Sequence, residues 1–405
     1  MGRKELAALF EEAASGVPAP ALAADAWARA RRVRRRRQAA AVLAAAVTVL
    51  AVTAASVLPL RGGEGHPAAA PPSASAPAGV DRMPASLQRR SIAPLPGQST
   101  AMVPAQAGKL SEHPVDRAVA LVEPHGGEGE QKPLPVYVLG SDGVWVSIDV
   151  VQLVPTRDSG GNQADPLRST ALSPDRRRVA FPQPDALVVV DLTTAKVHRI
   201  AVPGLNEQVL WWGNRVVLVG RDGAGVVCVD WAAGSADPLG TGLSAGDATG
   251  SAAEGAPVFE LTGPAGGRRA GGLSVRQWRL GEPGPTRQVP LADPRPAGYR
   301  VLEWAGPAVS DGADRVVRAG WGENGSYSGL EILAVVNVRT GAVQRLLDLG
   351  RDRVKACCQP LDWVDGDTVL VRTDKEGLVT WNVRTGEITQ VVAGPLAATV
   401  AIRLR

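Results

Sequence analysis

Cysteine and histidine are scarce in this sequence, with three of the former and four of the latter among 405 residues. Cys228, Cys357 and Cys358 are too few to supply the disulfide framework that stabilises many secreted domains. Neither His-x-x-x-His nor Cys-x-x-Cys spacing occurs, and there is no nucleotide-binding phosphate loop. The sequence therefore predicts a protein that is not an enzyme and that has no catalytic residues, metal or cofactor.

Lysine is also scarce, and the excess of positive charge is confined to one end of the chain. The formal net charge is +4. Residues 1–38 contain 9 of the 44 Lys and Arg and 4 of the 40 Asp and Glu, which leaves 35 basic and 36 acidic residues in the remainder. A nucleic-acid-binding domain needs a basic patch on its folded part, so no nucleic-acid partner is expected. The abundance of Ala, Val, Gly, Pro and Arg indicates a high-GC genome, plausibly an actinobacterial one.

One long hydrophobic run is present. The twenty residues from Ala39 to Leu58 contain no charge, Gly or Pro, and as a helix they would reach about 30 Å, the thickness of the hydrocarbon core of a bilayer. Pro59 would end that helix. Basic residues are enriched on the cytoplasmic flank of a membrane span, and seven arginines precede this run: Arg29, Arg31, Arg32, Arg34, Arg35, Arg36 and Arg37.

We therefore predict a transmembrane helix over residues 38–60, with the lipid bilayer as a partner. The cell membrane is then the predicted location, the N-terminus is cytoplasmic, and the C-terminal domain is extracytoplasmic. A cleaved signal peptide and a buried helix of a soluble protein are the alternatives.

Two segments flank the predicted span. Residues 1–37 form a basic tail in which Leu6, Leu9, Phe10 and Ala13 have helical spacing, and which is too short to bury a core of its own. Residues 61–113 are rich in Pro, Ala, Gly and Ser and show little apolar periodicity. This composition predicts an extended, largely unstructured tether.

The rest of the chain, residues 114–405, has the pattern of an all-β domain. Short Val-, Leu- and Ile-rich runs alternate with turns, and the sequence around 186–197 recurs at 333–343 and 378–388. One position in each copy sets the phase of the repeat: Asp149, Asp191, Asp230, Arg279, Asn337 and Asn382. Its intervals of 42, 39, 49, 58 and 45 residues are typical of four-stranded propeller blades.

The sequence therefore predicts a six-bladed β-propeller. A seventh blade between Met83 and Val103 and a β-sandwich are the alternatives. The ring is expected to close when the last strand, from Ala398 to Leu404, pairs in the first blade near Val119–Val122.

The segment Leu172-Ser-Pro-Asp-Arg-Arg-Arg-Val-Ala-Phe resembles a strand motif of TolB-like and WD40-like bacterial propellers. It departs from that motif at Arg176, where the motif has Gly, and the chain has no Gly-His or Trp-Asp dipeptide. The overall plan resembles actinobacterial single-pass membrane proteins with an outer propeller, some of which accompany extracytoplasmic-function sigma factors. The resemblance implies a binding role without specifying a ligand.

Two features are candidate functional residues. Trp304 and Trp321 are candidates for stacking on a ligand at one mouth of the ring, whereas the other tryptophans are expected to pack between blades. Cys357 and Cys358 could be a redox pair, a soft-metal site or partners of Cys228. Because a bond between adjacent cysteines closes a strained eight-membered ring, the favoured interpretation is two small apolar residues at the start of an inner strand.

Together these features predict a membrane-anchored propeller that binds or senses a cell-envelope ligand or protein, with a link to sigma-factor regulation through the tail. An anchored envelope enzyme acting on glycan or peptide, which would need carboxylates at one mouth of the ring, is the first alternative. A structural assembly platform is the second.

Overall fold

The computed structural model describes residues 79–96, 102, 104, 106–125, 135–157, 163–221, 225–239, 242–250, 255–263, 273–292 and 296–405. All of them belong to one compact unit, Ser73–Arg405. The predicted tail, the predicted membrane helix and the beginning of the predicted tether lie outside the described residues and stay predictions. Within the described ranges, no helix has the length and apolarity of a membrane span.

The regular secondary structure of the described residues is β-strand, joined by turns and loops, with a 3-10 turn at Pro296–Gly298. The strands are β1 (Gly79–Arg82), β2 (Gln88–Arg89), β3 (Gly108–Lys109), β4 (Ala118–Pro124), β5 (Tyr137–Gly140), β6 (Trp145–Ser147), β7 (Thr156–Arg157), β8 (Gln163–Ala164), β9 (Arg178–Gln183), β10 (Ala186–Asp191), β11 (Lys196–Ala201), β12 (Asn206–Trp212), β13 (Val216–Arg221), β14 (Gly225–Asp230), β15 (Ser235–Leu239), β16 (Val258–Thr262), β17 (Ser274–Trp278), β18 (Arg287–Pro290), β19 (Arg300–Ser310), β20 (Arg315–Glu323), β21 (Ser328–Asn337), β22 (Val343–Gly350), β23 (Gln359–Trp363), β24 (Thr368–Arg372), β25 (Gly377–Asn382), β26 (Ile388–Ala393) and β27 (Ala398–Ile402).

These strands form six antiparallel blades, as the sequence predicts. Blade 1 has the order β27-β4-β5-β6, blade 3 is β12 to β15, blade 5 is β19 to β22 and blade 6 is β23 to β26. Blades 2 (β9 to β11) and 4 (β16 to β18) have short inner segments in place of a first strand. Leu172 bridges Val179 in blade 2, and Ala248 bridges Glu260 in blade 4.

The repeat phase is confirmed in five blades. Its positions there, Asp191, Asp230, Arg279, Asn337 and Asn382, are the last residue of the third strand or the residue directly after it. In four of these blades the side chain caps the next turn. The carboxylate of Asp191, for example, accepts the backbone N–H groups of Thr193 and Thr194. The assignment of Asp149 was wrong, because the run before it forms the fourth strand of blade 1, β6. Asp149 instead accepts hydrogen bonds from the backbone and hydroxyl of Ser111.

The departure from the family motif at Arg176 has a visible backbone consequence. Arg176 has φ 63°, the left-handed region that favours glycine. Asp175 stabilises the turn around it by accepting hydrogen bonds from Ser173 Oγ and from the N–H of Arg177. The arginine thus occupies the backbone conformation that the motif's glycine would adopt.

Burial of both faces of each sheet holds the ring together. In β24, Val369 and Val371 belong to the apolar cluster shared with blade 5, whereas Leu370 belongs to the cluster shared with blade 1. Five clusters cover the six junctions of the ring: one extends over blades 1, 2 and 3, and each of the other four joins two neighbouring blades. This arrangement explains why the strands have nearly continuous apolar runs.

The ring closes through the last strand, as predicted. β27 pairs antiparallel with β4, with Val400 opposite Val122 and Ile402 opposite Ala120. The C-terminal strand is thus the inner strand of blade 1, and the other three strands of that blade come from the beginning of the domain.

Part of the predicted tether is paired with the propeller. β1, β2 and β3 add parallel strands to the outer edges of blades 5, 6 and 1. Met83 and Leu87 pack against the cluster between blades 5 and 6, and Leu95 and Met102 belong to the cluster between blades 6 and 1. We call residues 79–113 the strap. The alternative interpretation placed a seventh blade between Met83 and Val103. In the structure, the described residues of this segment lie along the outer edges of existing blades.

Asp81 is the polar anchor of the strap. Its two carboxylate oxygens accept hydrogen bonds from Arg345 Nε at 2.7 Å and Nη2 at 2.6 Å, and Trp381 Nε1 donates to it at 2.8 Å. Arg345 belongs to blade 5 and Trp381 to blade 6. One carboxylate therefore connects the strap to two blades.

We predict that Asp81→Ala lowers the free energy of unfolding by about 2 kcal/mol, because Arg345 Nε and Nη2 and the indole N–H of Trp381 lose their acceptor while remaining mostly buried. Asp116→Ala is the matched control. It removes an exposed carboxylate paired with Arg177, an interaction worth about 0–1 kcal/mol. Urea denaturation of both variants provides the measurement, and equal losses would show that Asp81 is not an anchor.

Candidate ligand site in the central channel

The inner strands enclose a channel of about 450 Å³ near their carboxyl ends. Every blade contributes to its wall. The apolar part of the wall comprises Leu172, Pro174, Leu210, Trp211, Phe259, Ala308, Val309, Leu361 and Ile402. The charged residues at the wall are Asp311, Asp362, Arg403 and Arg405.

Arg403 is the notable charge in this channel. It follows β27, and its backbone N–H donates to Val119 O at 3.0 Å. Its side chain is surrounded by protein but is accessible from the channel, and burial lowers the pKa of its guanidinium. Among the described residues, no acceptor forms a hydrogen bond or ion pair with this guanidinium, although Asp362 and Asp175 lie close enough to favour its charged form.

Asp362 lies in the same channel, on β23. Leu404 N–H donates to its Oδ2 at 2.7 Å. Burial raises the pKa of its carboxyl, and the charge of Arg403 partly offsets that rise. Asp362 and Arg403 therefore share the channel without a hydrogen bond or ion pair between them among the described contacts.

The other two charged residues are already occupied by the protein. Arg405 donates to the backbone oxygens of Trp363 and Asp365. Asp311 accepts hydrogen bonds from Arg315 Nε and from the N–H of Ala313. Arg403 and Asp362 are consequently the pair with polar atoms free to meet a ligand.

The predicted stacking residues lie elsewhere. Trp304 and Trp321 are on the adjacent strands β19 and β20 of blade 5, and neither lines the channel. Trp304 is 8% exposed and belongs to the cluster between blades 4 and 5. Its indole N–H has no hydrogen-bond partner in the part of the chain that the structure describes. Trp321 is half-buried. Their role in ligand stacking stays a prediction.

Several other tryptophans join blades. Trp211 Nε1 of blade 3 donates to Ala171 O of blade 2 at 2.7 Å. Trp363 Nε1 of blade 6 donates to Val309 O of blade 5 at 3.5 Å. These contacts agree with the packing role expected for most of the tryptophans.

The cysteines differ from the favoured interpretation. Cys357 and Cys358 precede β23 as expected, but they are bonded to each other. Their sulfurs and a carboxylate oxygen of Asp374 lie within 4.8 Å of one another. Because the disulfide consumes both thiolates, this group has the donor set of a metal site only after reduction. Cys228 lies apart from the pair, on β14 of blade 3.

A hydrolase-like pattern also occurs in the sequence, at Gly242-Leu-Ser-Ala-Gly246. A nucleophilic serine of this type stands on a turn between a strand and a helix. Here the pattern lies in a loop before the inner segment of blade 4, and the backbone N–H of Ser244 donates to Glu260. The structural context of a nucleophile is therefore absent from these described residues.

The end of the ring opposite Arg403 contains a buried acid. Glu123, at the end of β4, is 5% exposed and accepts a hydrogen bond from Leu167 N–H at 2.8 Å. Burial raises the pKa of its carboxyl to about 7, Asp165 adds to the rise, and Arg168 opposes it. A single acid within an apolar strand gives no sequence signal for such a shift.

Comparisons with known proteins find distant structural similarity only. No protein-family model matches the chain, and no curated protein matches it. Among solved structures, it resembles the C-terminal WD40 domain of Sif2, with 12% identity over 68% of this chain and 74% of that chain and a TM-score of 0.38. It also resembles the WD40 β-propeller domain of Doa1, with 14% identity, 70% and 81% coverage and a TM-score of 0.40.

An enzyme is among the similar structures as well. Oligogalacturonate lyase in complex with manganese has 13% identity, 71% and 76% coverage and a TM-score of 0.43. These values are too low to say what this chain binds or whether it catalyses a reaction. The topology itself defines the class: the described residues form a six-bladed β-propeller domain.

We predict that Glu123 makes stability fall as the pH rises from about 4.5 to 7. The pKa of its carboxyl is about 7 in the folded protein against an ordinary 4.5, so the folded state binds more protons than the unfolded state in that window. Glu123→Gln, which mimics the protonated acid, should flatten this slope. Glu331, whose pKa burial raises to about 7, contributes part of the slope that remains.

Urea denaturation at several pH values gives the measurement. Glu112→Gln is the control, because that side chain is exposed. If Glu123→Gln and Glu112→Gln show the same slope, Glu123 is not protonated in the folded protein near neutral pH.

Proposed function

We propose that this protein is a membrane-anchored binding module whose extracytoplasmic propeller holds a cell-envelope ligand or protein in its central channel. The observation that carries the binding role is the Arg403 guanidinium, which faces the channel without a hydrogen-bond partner among the described residues. A buried cationic group of this kind is costly unless an acceptor reaches it. A ligand with an anionic oxygen would supply that acceptor.

The dimensions and lining of the channel suit a small ligand or a segment of a larger one. Its volume of about 450 Å³ lies in the range of ordinary ligand pockets, which combine apolar walls with a few polar groups. Arg403 would bind a carboxylate or a similar acceptor, and Asp362 would accept a hydrogen bond from a neighbouring N–H or O–H. The apolar wall would hold the rest of the ligand.

An anchored envelope enzyme is the second candidate. Asp362 favours it, because a carboxyl whose pKa burial raises, in a concave site, is typical of a general acid. Acid–base chemistry on a glycan needs a second free carboxylate, and Asp311 is bound by Arg315 and by backbone N–H groups. Because Asp311 is already bound by the protein, the channel favours ligand binding over hydrolysis.

The topology comes from the sequence. Seven arginines next to twenty apolar residues favour a cytoplasmic tail, a span over 38–60 and a propeller on the outer side. Residues 1–37 are then the part that could report ligand binding to a cytoplasmic partner, for which a sigma-factor regulator is one candidate. A structural platform would share this topology without a ligand in the channel.

Benzoate is a suitable probe of the channel, since it combines a carboxylate with an apolar ring. We expect it to bind the full-length protein, and Arg403→Gln to weaken binding about tenfold or more, the effect of losing one charge-assisted hydrogen bond. Arg351→Gln, at an exposed arginine outside the channel, should leave the affinity unchanged. Calorimetric titration measures both. Equal affinities for benzoate and neutral benzamide, or an unchanged affinity in Arg403→Gln, would rule out this site.

Fusion of alkaline phosphatase after Arg405 tests the topology, because that enzyme is active only outside the cytoplasm. We expect an active fusion. Replacing the seven arginines between Arg29 and Arg37 by Gln should reduce its activity, because the charge bias beside the span is lost. Arg3→Gln with Lys4→Gln, far from the span, is the control and should have little effect. An inactive wild-type fusion would contradict the extracytoplasmic location.

A further inference from the structure

The loop of residues 351–358 joins β22 of blade 5 to β23 of blade 6 and carries the bonded pair Cys357 and Cys358. Cys358 is fully buried in the cluster between these blades, whereas Cys357 is half-buried at the edge of that cluster. One sulfur of the disulfide is therefore more accessible from solvent than the other.

Arg353 fixes the first part of this loop. Its side chain is 4% exposed, and its guanidinium donates to Asp374 Oδ1 at 2.5 Å, to Glu376 Oε1 at 2.8 Å and to Leu349 O at 2.6 Å. The backbone continues from this clamp, with Cys357 N–H donating to Val354 O at 2.9 Å. The contacts of Arg353 and the hydrogen bond from Cys357 to Val354 therefore fix the position of the disulfide.

The second part of the loop is in a strained conformation. Ala356, directly before the cysteines, has φ 63°, a left-handed conformation that is unfavourable for a residue with a side chain. Its N–H donates to Glu331 Oε1 at 2.6 Å, and the buried Glu331 Oε2 has no hydrogen-bond partner among the described residues. Because Ala356 is strained and the Glu331 carboxyl is incompletely hydrogen-bonded, the hydrogen bond between them is easily lost once the disulfide no longer constrains the loop.

The surroundings also suit the reduced pair. Cys358 Sγ lies 3.9 Å from Asp374 Oδ1, so a thiol at this position would have an acceptor for its proton. Asp374 remains held by Arg353. The site can therefore accommodate both the disulfide and the dithiol.

We propose that Cys357 and Cys358 form a redox-active site that exchanges with dithiols and sets the conformation of the loop of residues 351–358. A thiolate of the dithiol attacks Cys357 Sγ, the S–S bond breaks, and Cys358 leaves as a thiolate that takes a proton from water. The second thiol of the dithiol then displaces Cys357 from the mixed disulfide. The protein gains two electrons and two protons, and the dithiol becomes its own disulfide.

Reduction opens the eight-membered ring that ties the two adjacent cysteines. Ala356 can then leave its left-handed conformation and release Glu331, while Arg353 keeps the start of the loop in place. The response is therefore local to the junction of blades 5 and 6. This site is independent of the channel around Arg403.

Cys228 provides an internal reference. Burial raises the pKa of its thiol to about 11, and the nearby Asp237 and Asp230 add to the rise. A thiol with so high a pKa contains little of the reactive thiolate near neutral pH. Alkylation of the native protein thus reports on the Cys357 and Cys358 pair with little background.

Full-length protein is treated with dithiothreitol under native conditions, alkylated with iodoacetamide and analysed by mass spectrometry and amide hydrogen exchange. We expect no label on the pair before reduction and label on both cysteines after it, while Cys228 reacts only after unfolding. Exchange in residues 351–358 should become at least tenfold faster on reduction, exchange in blade 3 should not change, and reoxidation should restore the first state.

Variants separate the switch from a passive disulfide. Cys357→Ser with Cys358→Ser should reproduce the fast exchange of the reduced loop, whereas Cys228→Ser should behave as the wild type. Three results would overturn the proposal: label on the pair without reductant, reduction only in denaturant, or unchanged loop exchange after complete reduction.

Discussion

Each sheet in this protein has two apolar faces, and only neighbouring sheets can cover both. An isolated blade would expose one face or the other, so the fold is stable only when the ring is complete. That constraint explains the placement of the last strand, since β27 must return to blade 1 before the cluster between blades 6 and 1 exists. It also creates the candidate site, because closing the ring brings the inner edges of six blades around one channel.

The same constraint decides what the sequence could predict. Strands that are buried on both faces are continuously apolar, and turns capped by Asp or Asn recur at fixed places, so the blades and their number follow from local patterns. The assignment of Asp149 was wrong because its side chain accepts a hydrogen bond from Ser111 of the strap and does not cap a turn after a third strand. The sequence predicts a tether where the structure has the strap. Strands as short as β2 and β3 pair through backbone hydrogen bonds and produce no alternation of apolar and polar residues.

The candidate site could not be found in this way. Arg403 is one arginine among many, and its neighbours in space, Asp362 and Asp175, are distant in sequence. That no acceptor among the described residues bonds to its guanidinium is a consequence of how the blades are arranged, which the residues beside it in sequence do not reveal. Trp304 shows the converse, since an aromatic residue at a plausible position is buried between blades 4 and 5. Local patterns thus predict blades, whereas the chemistry of the channel depends on contacts between blades.

The junction of blades 5 and 6 combines several of these features. Arginines link its two sides at separate places: Arg345 joins blade 5 to Asp81 of the strap and to the backbone of Arg384, and Arg353 joins the connecting loop to Asp374 and Glu376. Between them lies an apolar cluster that includes Cys358. A loop change at Cys357 and Cys358 would therefore act on a junction that the strap also contacts.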